Sequence, residues 1–247
     1  MMNYKDFDTI KINFSQRYSN FKFQRKYFFN KYSEINTEIK FLSLKYSNLI
    51  FLKSINVFKQ LKPSELNHSI ILANLLNPKG NHLQGKLFLE SFLKIITTPD
   101  IYVPSDDIWE VTAEKDRYDI RIKNIDNTKI IIIENKSNWA KDQDNQLYRY
   151  WYYGIYLLQQ YYEKLNKPLF SKIIYLSPSD YKPPTQQSIS RPTDWDNNLP
   201  EFIPPNLITT IFFNEHIVKW LDLCLDSLSK DTDIYFYIKQ YRDFWRN

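Results

Sequence analysis

The sequence predicts an α/β fold in which helices pack against an antiparallel or mixed sheet. Short runs rich in β-branched residues, each bounded by polar turn residues, predict strands. Longer segments with apolar residues at three- and four-residue spacing predict helices. These elements follow one another as helix, three strands, helix and strand, with a helical extension before them and further helices after them. The crossover from the third strand to the fourth is expected to be right-handed.

The segment that precedes the strands has the periodicity of helices. Apolar residues recur near helical spacing over 34–60 and predict one long helix, which the Lys62-Pro63-Ser64 sequence interrupts. Two shorter helices are predicted over 64–76 and 85–96 by the same spacing of apolar residues. The chain therefore enters the sheet from a helical region.

The strands are predicted over three neighbouring segments, 108–114, 119–123 and 129–135. A helix over 142–163 then leads to a fourth strand over 172–176. Seven of the 12 prolines lie between residues 178 and 205, so this segment is expected to be an irregular loop. A further strand over 207–213 and two closing helices complete the prediction.

Charge is distributed unevenly along the chain. Residues 1–62 contain 12 Lys and Arg against 4 Asp and Glu, a net charge of +8, within a chain whose total is +5. We therefore predict two parts, a basic, aromatic-rich helical extension over 1–62 and a second domain over 63–247. In the extension, basic residues alternate with Tyr and Phe and could contact phosphates and stack on bases. Packing or self-association explains the same composition, and both interpretations stay open.

Composition excludes several classes of protein. The single cysteine, Cys224, excludes an internal disulfide framework and fits a reducing cytoplasm, where we expect the protein to be. Neither a secretory signal nor a membrane-spanning segment is predicted. With only three glycines, a glycine-rich phosphate loop is excluded as well. The three histidines lack the paired close spacings of zinc ligands, so His68 and His82 are expected to make structural hydrogen bonds.

The most informative residues are two acids and a lysine near the ends of two predicted strands. Glu134 and Lys136 are two residues apart at the end of an isoleucine run, so their side chains lie on one face of the sheet. The polar segment 124–128 favours a turn that folds the two strands into an antiparallel hairpin. Such a hairpin brings Asp119 near the end of the strand that carries Glu134.

This cluster suits phosphodiester hydrolysis. Asp119 and Glu134, with the backbone carbonyl of Asn135, offer the oxygen ligands that Mg²⁺ prefers, and Mn²⁺ can substitute. The metal would polarise a phosphate and favour deprotonation of an attacking water. Lys136 would orient that water and offset the charge that develops on the phosphate. The simpler interpretation of Glu134 and Lys136 is an ordinary ion pair at a strand end.

The residues that follow Lys136 predict a helix that supports this site. Gln143, Gln146 and Tyr150 fall at spacings of three and four and are expected to line one helical face. Such side chains can hydrogen-bond a phosphate and hold the lysine in place. We therefore predict these three residues to bind the substrate.

This order of elements and residues resembles the PD-(D/E)XK nuclease superfamily, in particular the branch with a trailing Gln-x-x-x-Tyr helix. The resemblance extends upstream through 63–89, which carries His68, His82 and the Leu75-Leu76-Asn77-Pro78 sequence. This upstream pattern is similar to a PD-(D/E)XK family that is common among bacterial and phage-defence proteins. The resemblance implies a restriction-endonuclease-like core and adds Glu65, on the helix before the sheet, as a metal ligand. Tyr118 stands where the superfamily name has proline.

The expected function is that of a magnesium-dependent nuclease that hydrolyses phosphodiester bonds in DNA, with a role in anti-phage defence implied by the resemblance. One alternative is a non-cleaving module that binds nucleic acid or a partner protein on the same scaffold. Another is RNA as the substrate. A homodimer or a partner protein of a defence system is a possible assembly, because cutting both strands with one site per chain usually requires a symmetric pair.

Overall fold

The computed structural model describes residues 24, 26–41, 55–96, 107–180 and 182–246. The chain divides into two compact units between Leu61 and Lys62. In the first unit, residues 26–41 form helix α1 and Val57–Leu61 form the short helix α2. This division lies beside the boundary predicted at residue 62, while the roles assigned to the two parts stay predictions.

The single long helix predicted over 34–60 is wrong. Residues 26–41 are helical, but residues 55 and 56 are not, and α2 begins only at Val57. The side-chain oxygen of Asn56 accepts hydrogen bonds from the amides of Phe58 at 3.0 Å and Lys59 at 3.2 Å. An asparagine in this position begins a new helix because it satisfies amides that have no partner within the helix. The part of the prediction over 42–54 lies outside the described residues.

The second unit contains a five-stranded mixed sheet, which confirms the predicted fold class. Its strands are β1 (Trp109–Lys115), β2 (Tyr118–Asn124), β3 (Lys129–Asn135), β4 (Phe170–Ser177) and β5 (Ile208–Phe212). They lie side by side in the order in which they occur in the chain. The first three pair antiparallel, whereas β3, β4 and β5 pair parallel. This arrangement is consistent with a restriction-endonuclease-like core.

The hairpin between β2 and β3 forms as predicted. Ile120 pairs with Ile133 and Lys123 with Ile130, which fixes the register of the two strands. Asn124 closes the turn, because its side chain donates to the Thr128 hydroxyl at 2.8 Å and accepts from the amide of Lys129 at 2.9 Å. The turn therefore determines which residues of the two strands lie opposite each other.

Strand β3 is buried on both faces. The four isoleucines at 130–133 are at most 2% exposed. Helix α3 (Glu65–Leu76) packs against β1, β2 and β3, and the helical segment that follows β3 contacts it as well. A central strand covered on both faces reads as a continuous apolar run, which explains why no alternation occurs here. The site thus lies at the end of the most deeply buried strand of the sheet.

The remaining helices flank this sheet or close the chain. They are α4 (Leu87–Ile96), α5 (Gln146–Trp151), a π-helical turn (Tyr152–Tyr156), α6 (Leu157–Lys164), α7 (Gln186–Ile189), a 3₁₀ turn (Pro205–Leu207), a second π-helical turn (Phe213–Ile217), α8 (Val218–Asp226) and α9 (Asp233–Trp245). The two closing helices are as predicted, whereas α7 lies within the predicted loop. None of the helices among these described residues has both the length and the apolar character to span a membrane.

The helix predicted over 142–163 begins four residues later than expected. Asn145 has a left-handed backbone with φ of 56°, and α5 begins at Gln146. The Asn145 side chain donates to the carbonyl of Ser190 at 2.8 Å, which holds this conformation in place. Asparagine adopts a left-handed conformation more readily than most residues, so the start of the helix is set here.

Candidate active site

The register of the hairpin places the two predicted metal-binding acids opposite each other. The next position beyond the Ile120–Ile133 pair is occupied by Asp119 on β2 and by Glu134 on β3. The Asp119 carboxylate accepts a hydrogen bond from the amide of Asn135 at 2.7 Å. This bond ties β2 to the end of β3 and orients the acid.

Glu134 and Lys136 form a buried ion pair. Lys136 Nζ lies 2.5 Å from Glu134 Oε1, and the two side chains are 4% and 1% exposed. The other carboxylate oxygen, Glu134 Oε2, is buried and has no hydrogen-bond partner among the described residues. A buried carboxylate oxygen without a donor is costly, so this atom is suited to a cation.

Lys136 is held in position by several neighbours. Its amide donates to the carbonyl of Leu176 on β4 at 2.8 Å, and its ammonium donates to Gln146 Oε1 at 3.1 Å. Gln146 in turn donates to the Tyr150 hydroxyl at 3.3 Å. Gln146 and Tyr150 therefore lie on the face of α5 that approaches the lysine, because residues four apart share a helical face.

Gln143 does not share that face. It precedes α5, and its side chain is exposed. Its contact with the cluster is made by its backbone amide, which donates to Gln146 Oε1 at 3.4 Å. The predicted helical alignment of Gln143 with Gln146 and Tyr150 is wrong, because the helix begins only at Gln146.

Glu65 is brought to the site by contacts between α3 and β3. The side-chain amide of Asn135 donates to the Glu65 carbonyl at 2.9 Å and to the Ser69 hydroxyl at 3.0 Å. Glu65 Oε2 is buried and has no hydrogen-bond partner in the described part of the chain. Burial raises the pKa of Glu65, while the charge of Lys136 opposes this shift and the charge of Glu134 adds to it.

Glu114 is a fourth carboxylate that the sequence did not indicate. Lys115 pairs with Tyr118 and Ala113 with Ile120, so Glu114 lies opposite Asp119 across β1 and β2. Glu114 itself has a φ of 52°, an uncommon value for a residue other than glycine. Partial desolvation of its carboxylate, followed by the charges of Glu134 and Glu65, raises its pKa to about 7. Its side chain is exposed at the rim, so water screens part of this repulsion.

The turn at Asp116 and Arg117 is the sequence feature that determines where Glu114 lies. Both residues have positive φ values, 57° and 73°, as a two-residue hairpin turn of type I′ requires. This turn fixes the register that places Glu114 opposite Asp119. It is hard to predict because neither position is occupied by glycine.

Asp142 is a second residue that the sequence did not assign to the site. Its side chain is 2% exposed, and Oδ1 lies 3.9 Å from Lys136 Nζ. Tyr175 on β4 donates to Oδ1 at 2.8 Å, and the amide of Thr185 donates to Oδ2 at 2.7 Å. Lys182 also interacts with the Asp142 charge. The loop after β4 is thereby attached to the lysine side of the site.

The electrostatics of the cluster favour the binding of a cation. Burial, followed by the charges of Glu134 and Glu114, raises the pKa of Asp119 well above its ordinary value. Burial also raises the pKa of Glu134, although Lys136 opposes that shift. For Lys136, burial lowers the pKa but the charge of Glu134 outweighs it, so the net shift is upward and the lysine is an ammonium. One ammonium faces several carboxylates that resist losing their protons together.

The described residues contain no group of three or more His, Cys, Asp or Glu side chains already arranged around a common metal position. The fit to a metal therefore rests on the donor chemistry. Glu134 and Glu65 each present a buried oxygen without a partner, and oxygen donors of this kind suit Mg²⁺. Asp119, Glu134, Glu65 and the carbonyl of Asn135 stay the predicted ligands.

The comparisons with known proteins agree with this geometry. A family model described as the PD-(D/E)XK nuclease superfamily matches residues 55–243, about three quarters of the chain. Neither the curated proteins nor the solved structures gave a match. Nucleases of this superfamily generally use divalent metals. The match spans every strand of the sheet and each of the predicted site residues, and the chain belongs to the PD-(D/E)XK nuclease superfamily.

Proposed function

We propose that this protein is a magnesium-dependent nuclease that hydrolyses phosphodiester bonds in DNA, with Mn²⁺ able to replace Mg²⁺. The observation that supports this proposal most directly is the buried Glu134–Lys136 pair, with an unpartnered Glu134 oxygen beside Asp119. An ordinary surface ion pair would not bury both charges or leave one oxygen without a donor. Buried charges without full compensation are characteristic of functional sites.

In the proposed reaction, each residue of the cluster has a separate task. Asp119, Glu134, Glu65 and the carbonyl of Asn135 would hold the divalent ion, which would supply polarisation of the phosphate and activation of water when bound. The amide of Asn135 orients Asp119. Lys136 positions the attacking water and stabilises the charge that develops on the phosphate.

Gln146 and Tyr150 act mainly through Lys136. Both polar atoms of the Gln146 amide are already engaged, one with Lys136 and the other with Tyr150. Their support of a phosphate is therefore indirect, because they fix the direction of the ammonium. Gln143, exposed ahead of α5, is proposed to contact the substrate directly.

The proposal is tested by incubating the protein with linear DNA, circular DNA and RNA, each in Mg²⁺, in Mn²⁺ and in chelator. We expect metal-dependent cleavage of DNA that the chelator abolishes. Lys136→Ala and Glu134→Gln should each reduce the rate at least about a hundredfold, since the first removes the ammonium proposed to act at the phosphate and the second removes the charge of a proposed metal ligand. Lys123→Ala is the matched control, because Lys123 is a lysine of β2 whose partner is Glu110 at 3.3 Å.

Three results would contradict the proposal. Full activity of Lys136→Ala would remove the assigned role of the lysine. Binding of DNA without any metal-dependent product would identify a non-cleaving module. Faster cleavage of RNA than of DNA would change the substrate class.

We further propose that the protein acts in the cytoplasm in anti-phage defence, as a homodimer or with a partner protein. The support for this part is the resemblance of its motifs to a family common among defence proteins, together with the need for two sites to cut a duplex. Phage plating on cells that express the protein or its Lys136→Ala variant tests the role. Light scattering of the purified protein tests the assembly.

A further inference from the structure

Trp139 differs from the other tryptophans of the chain. Its side chain is 52% exposed, whereas Trp109, Trp151 and Trp220 are at most 4% exposed and the remaining two are half-buried. It follows the lysine of the reaction centre by three residues. Its amide donates to the carbonyl of Lys136 at 3.0 Å. A large apolar ring is therefore exposed to solvent three residues after Lys136.

The backbone of Trp139 is in an unusual conformation. Its φ is 60°, in the left-handed region that bulky residues rarely adopt. Such strain persists only where the surrounding structure imposes it, and it is common at functional sites.

The loop around Trp139 is fixed on both sides. The amide of Ser137 donates to Asn135 Oδ1 at 3.1 Å, and the side chain of Asn138 donates to the carbonyl of Pro63 at 3.4 Å. On the other side, the Lys182 ammonium donates to the carbonyl of Ala140. The exposed ring therefore projects from a braced loop.

Two lysines belong to the loop that carries the ring or are bonded to it. Lys141 is exposed two residues further along, and the half-buried Lys182 is bonded to the residue between them. An aromatic face beside ammonium groups is the combination that binds single-stranded nucleic acid, since the ring stacks on a base and the cations neutralise phosphates. No part of the mechanism proposed above requires Trp139.

We propose that Trp139 is a stacking residue for an unpaired base next to the phosphate that is cleaved. In an intact duplex both faces of each base are covered by neighbouring bases, so an indole can stack only on a base that is unpaired, terminal or displaced. The protein is thereby directed to single-stranded or distorted DNA. This inference rests on the proposed function, because the stacked base must belong to the substrate of the site.

The test measures binding separately from cleavage. In full-length protein carrying Lys136→Ala, fluorescence anisotropy measures the affinity for a labelled single-stranded oligonucleotide and for a dumbbell duplex whose two ends are closed by linkers that contain no bases. The quenching of intrinsic tryptophan fluorescence is measured as well. We expect Trp139→Ala to weaken single-strand binding about tenfold and to remove most of the quenching, with little effect on the dumbbell. Trp139→Phe should keep most of the affinity because it keeps an aromatic face.

Tyr161→Ala is the matched control, because Tyr161 is an aromatic residue on α6 with a 58% exposed side chain. Suppose that Trp139→Ala binds the single strand as tightly as its parent, while the protein with Lys136 intact cleaves DNA. This pair of results overturns the inference on Trp139 and leaves the proposed function standing. Equal losses on the dumbbell and the single strand also overturn it, because they indicate a general contact. If neither DNA binds the Lys136→Ala parent and the protein with Lys136 intact cleaves nothing, the proposed function fails and the inference fails with it.

Discussion

At the scale of single residues, the site contains more carboxyl groups than ammonium groups, and the protein alone does not neutralise them. Lys136 neutralises Glu134 at 2.5 Å, but Asp119, Glu65 and Glu114 lie around the same pair with raised pKa values. The sequence predicted Asp119, Glu134 and Lys136 together because strand alternation and one hairpin are enough to align them. It did not predict Glu114, whose position depends on a turn formed by two residues with positive φ.

Glu114 leads to a pH-dependent prediction. Since its folded pKa is about 7, above the ordinary carboxyl value of 4.5, its contribution favours the folded state at low pH and is lost as pH rises from about 4.5 through 7. In chelator, Glu114→Gln should therefore gain thermal stability relative to the parent as pH increases from 5 to 8. With Mg²⁺ this gain should shrink, since the cation offsets the repulsion.

Thermal midpoints across this pH range, with and without Mg²⁺, measure the effect. Glu110→Gln is the matched control on the same strand, because Glu110 is a surface partner of Lys123. If Glu114→Gln and Glu110→Gln behave alike in chelator, the repulsion assigned to Glu114 is absent.

His68 gives a second prediction, with the opposite dependence on pH. It is 1% exposed, and Nδ1 lies 3.0 Å from the Tyr241 hydroxyl. Burial lowers its pKa from 6.5 to about 3, so the folded state keeps it neutral while the unfolded state becomes protonated. Its contribution to stability is present above pH 6.5 and is lost as pH falls toward 3, with a slope of up to about 1.4 kcal/mol per pH unit.

Urea unfolding between pH 7 and pH 5 checks this slope. His68→Gln should make the free energy of unfolding less dependent on pH than in the parent, whatever its effect at pH 7. A parental slope in His68→Gln would show that His68 is not the group responsible.

At the scale of elements, the strands were easier to predict than the starts of the helices. The bounds of β3 agree with the prediction because an isoleucine run ends at polar residues on both sides. The starts of α2 and α5 were missed because each is set by one asparagine, Asn56 through its side-chain cap and Asn145 through its left-handed backbone. The tertiary contact from Asn145 to Ser190, 45 residues away, is not visible in local periodicity.

Gly154 permits the close approach of the helical segment after β3 to the sheet. A Cβ at this position would lie 2.5 Å from Ile132 Cδ1 and 2.8 Å from the Tyr118 hydroxyl oxygen. We expect Gly154→Ala to destabilise the protein by about 1–2 kcal/mol, because overpacking of a buried contact outweighs the helix propensity of alanine. Urea unfolding measures this change.

Ile132→Val removes the nearest atom and provides a double-mutant test. The loss from Gly154→Ala should be smaller in the Ile132→Val background than in the parent. Gln160→Ala, on the exposed side of the same helical segment, should change stability by less than about 0.5 kcal/mol. An equal loss in both backgrounds would exclude the clash with Ile132.

At the scale of the whole molecule, the chain consists of a basic first unit and a second unit that contains the site. The sequence predicted this charge asymmetry directly, because it requires only counting. The function of the basic unit does not follow from charge alone, since packing, self-association and nucleic-acid binding all suit the same composition. Most of its aromatic and basic residues lie outside the described residues.

The salt dependence of DNA binding separates these interpretations. Replacing Arg17, Lys22, Arg25 and Lys26 together by glutamine should reduce the slope of log affinity against log salt by about 0.9 for each phosphate contact that is lost. Binding to duplex DNA over a range of salt concentrations, in the Lys136→Ala protein, measures the slope. The control is a variant in which four lysines of the second unit, away from the site, are replaced by glutamine. An unchanged slope in the variant of the basic unit would favour packing or self-association.

The side chain of Asn135 has a consequence for how the protein is made. It joins the end of β3 to Glu65 and Ser69, residues that precede it in the chain by 70 and 66 positions. Early in synthesis the ribosome has released the helix but not yet the strand, so a growing chain contains both halves of the acidic centre only after residue 136 has been added. A reactive centre built in this way is absent from every chain that ends before the third strand, so the first half of the protein cannot assemble it alone.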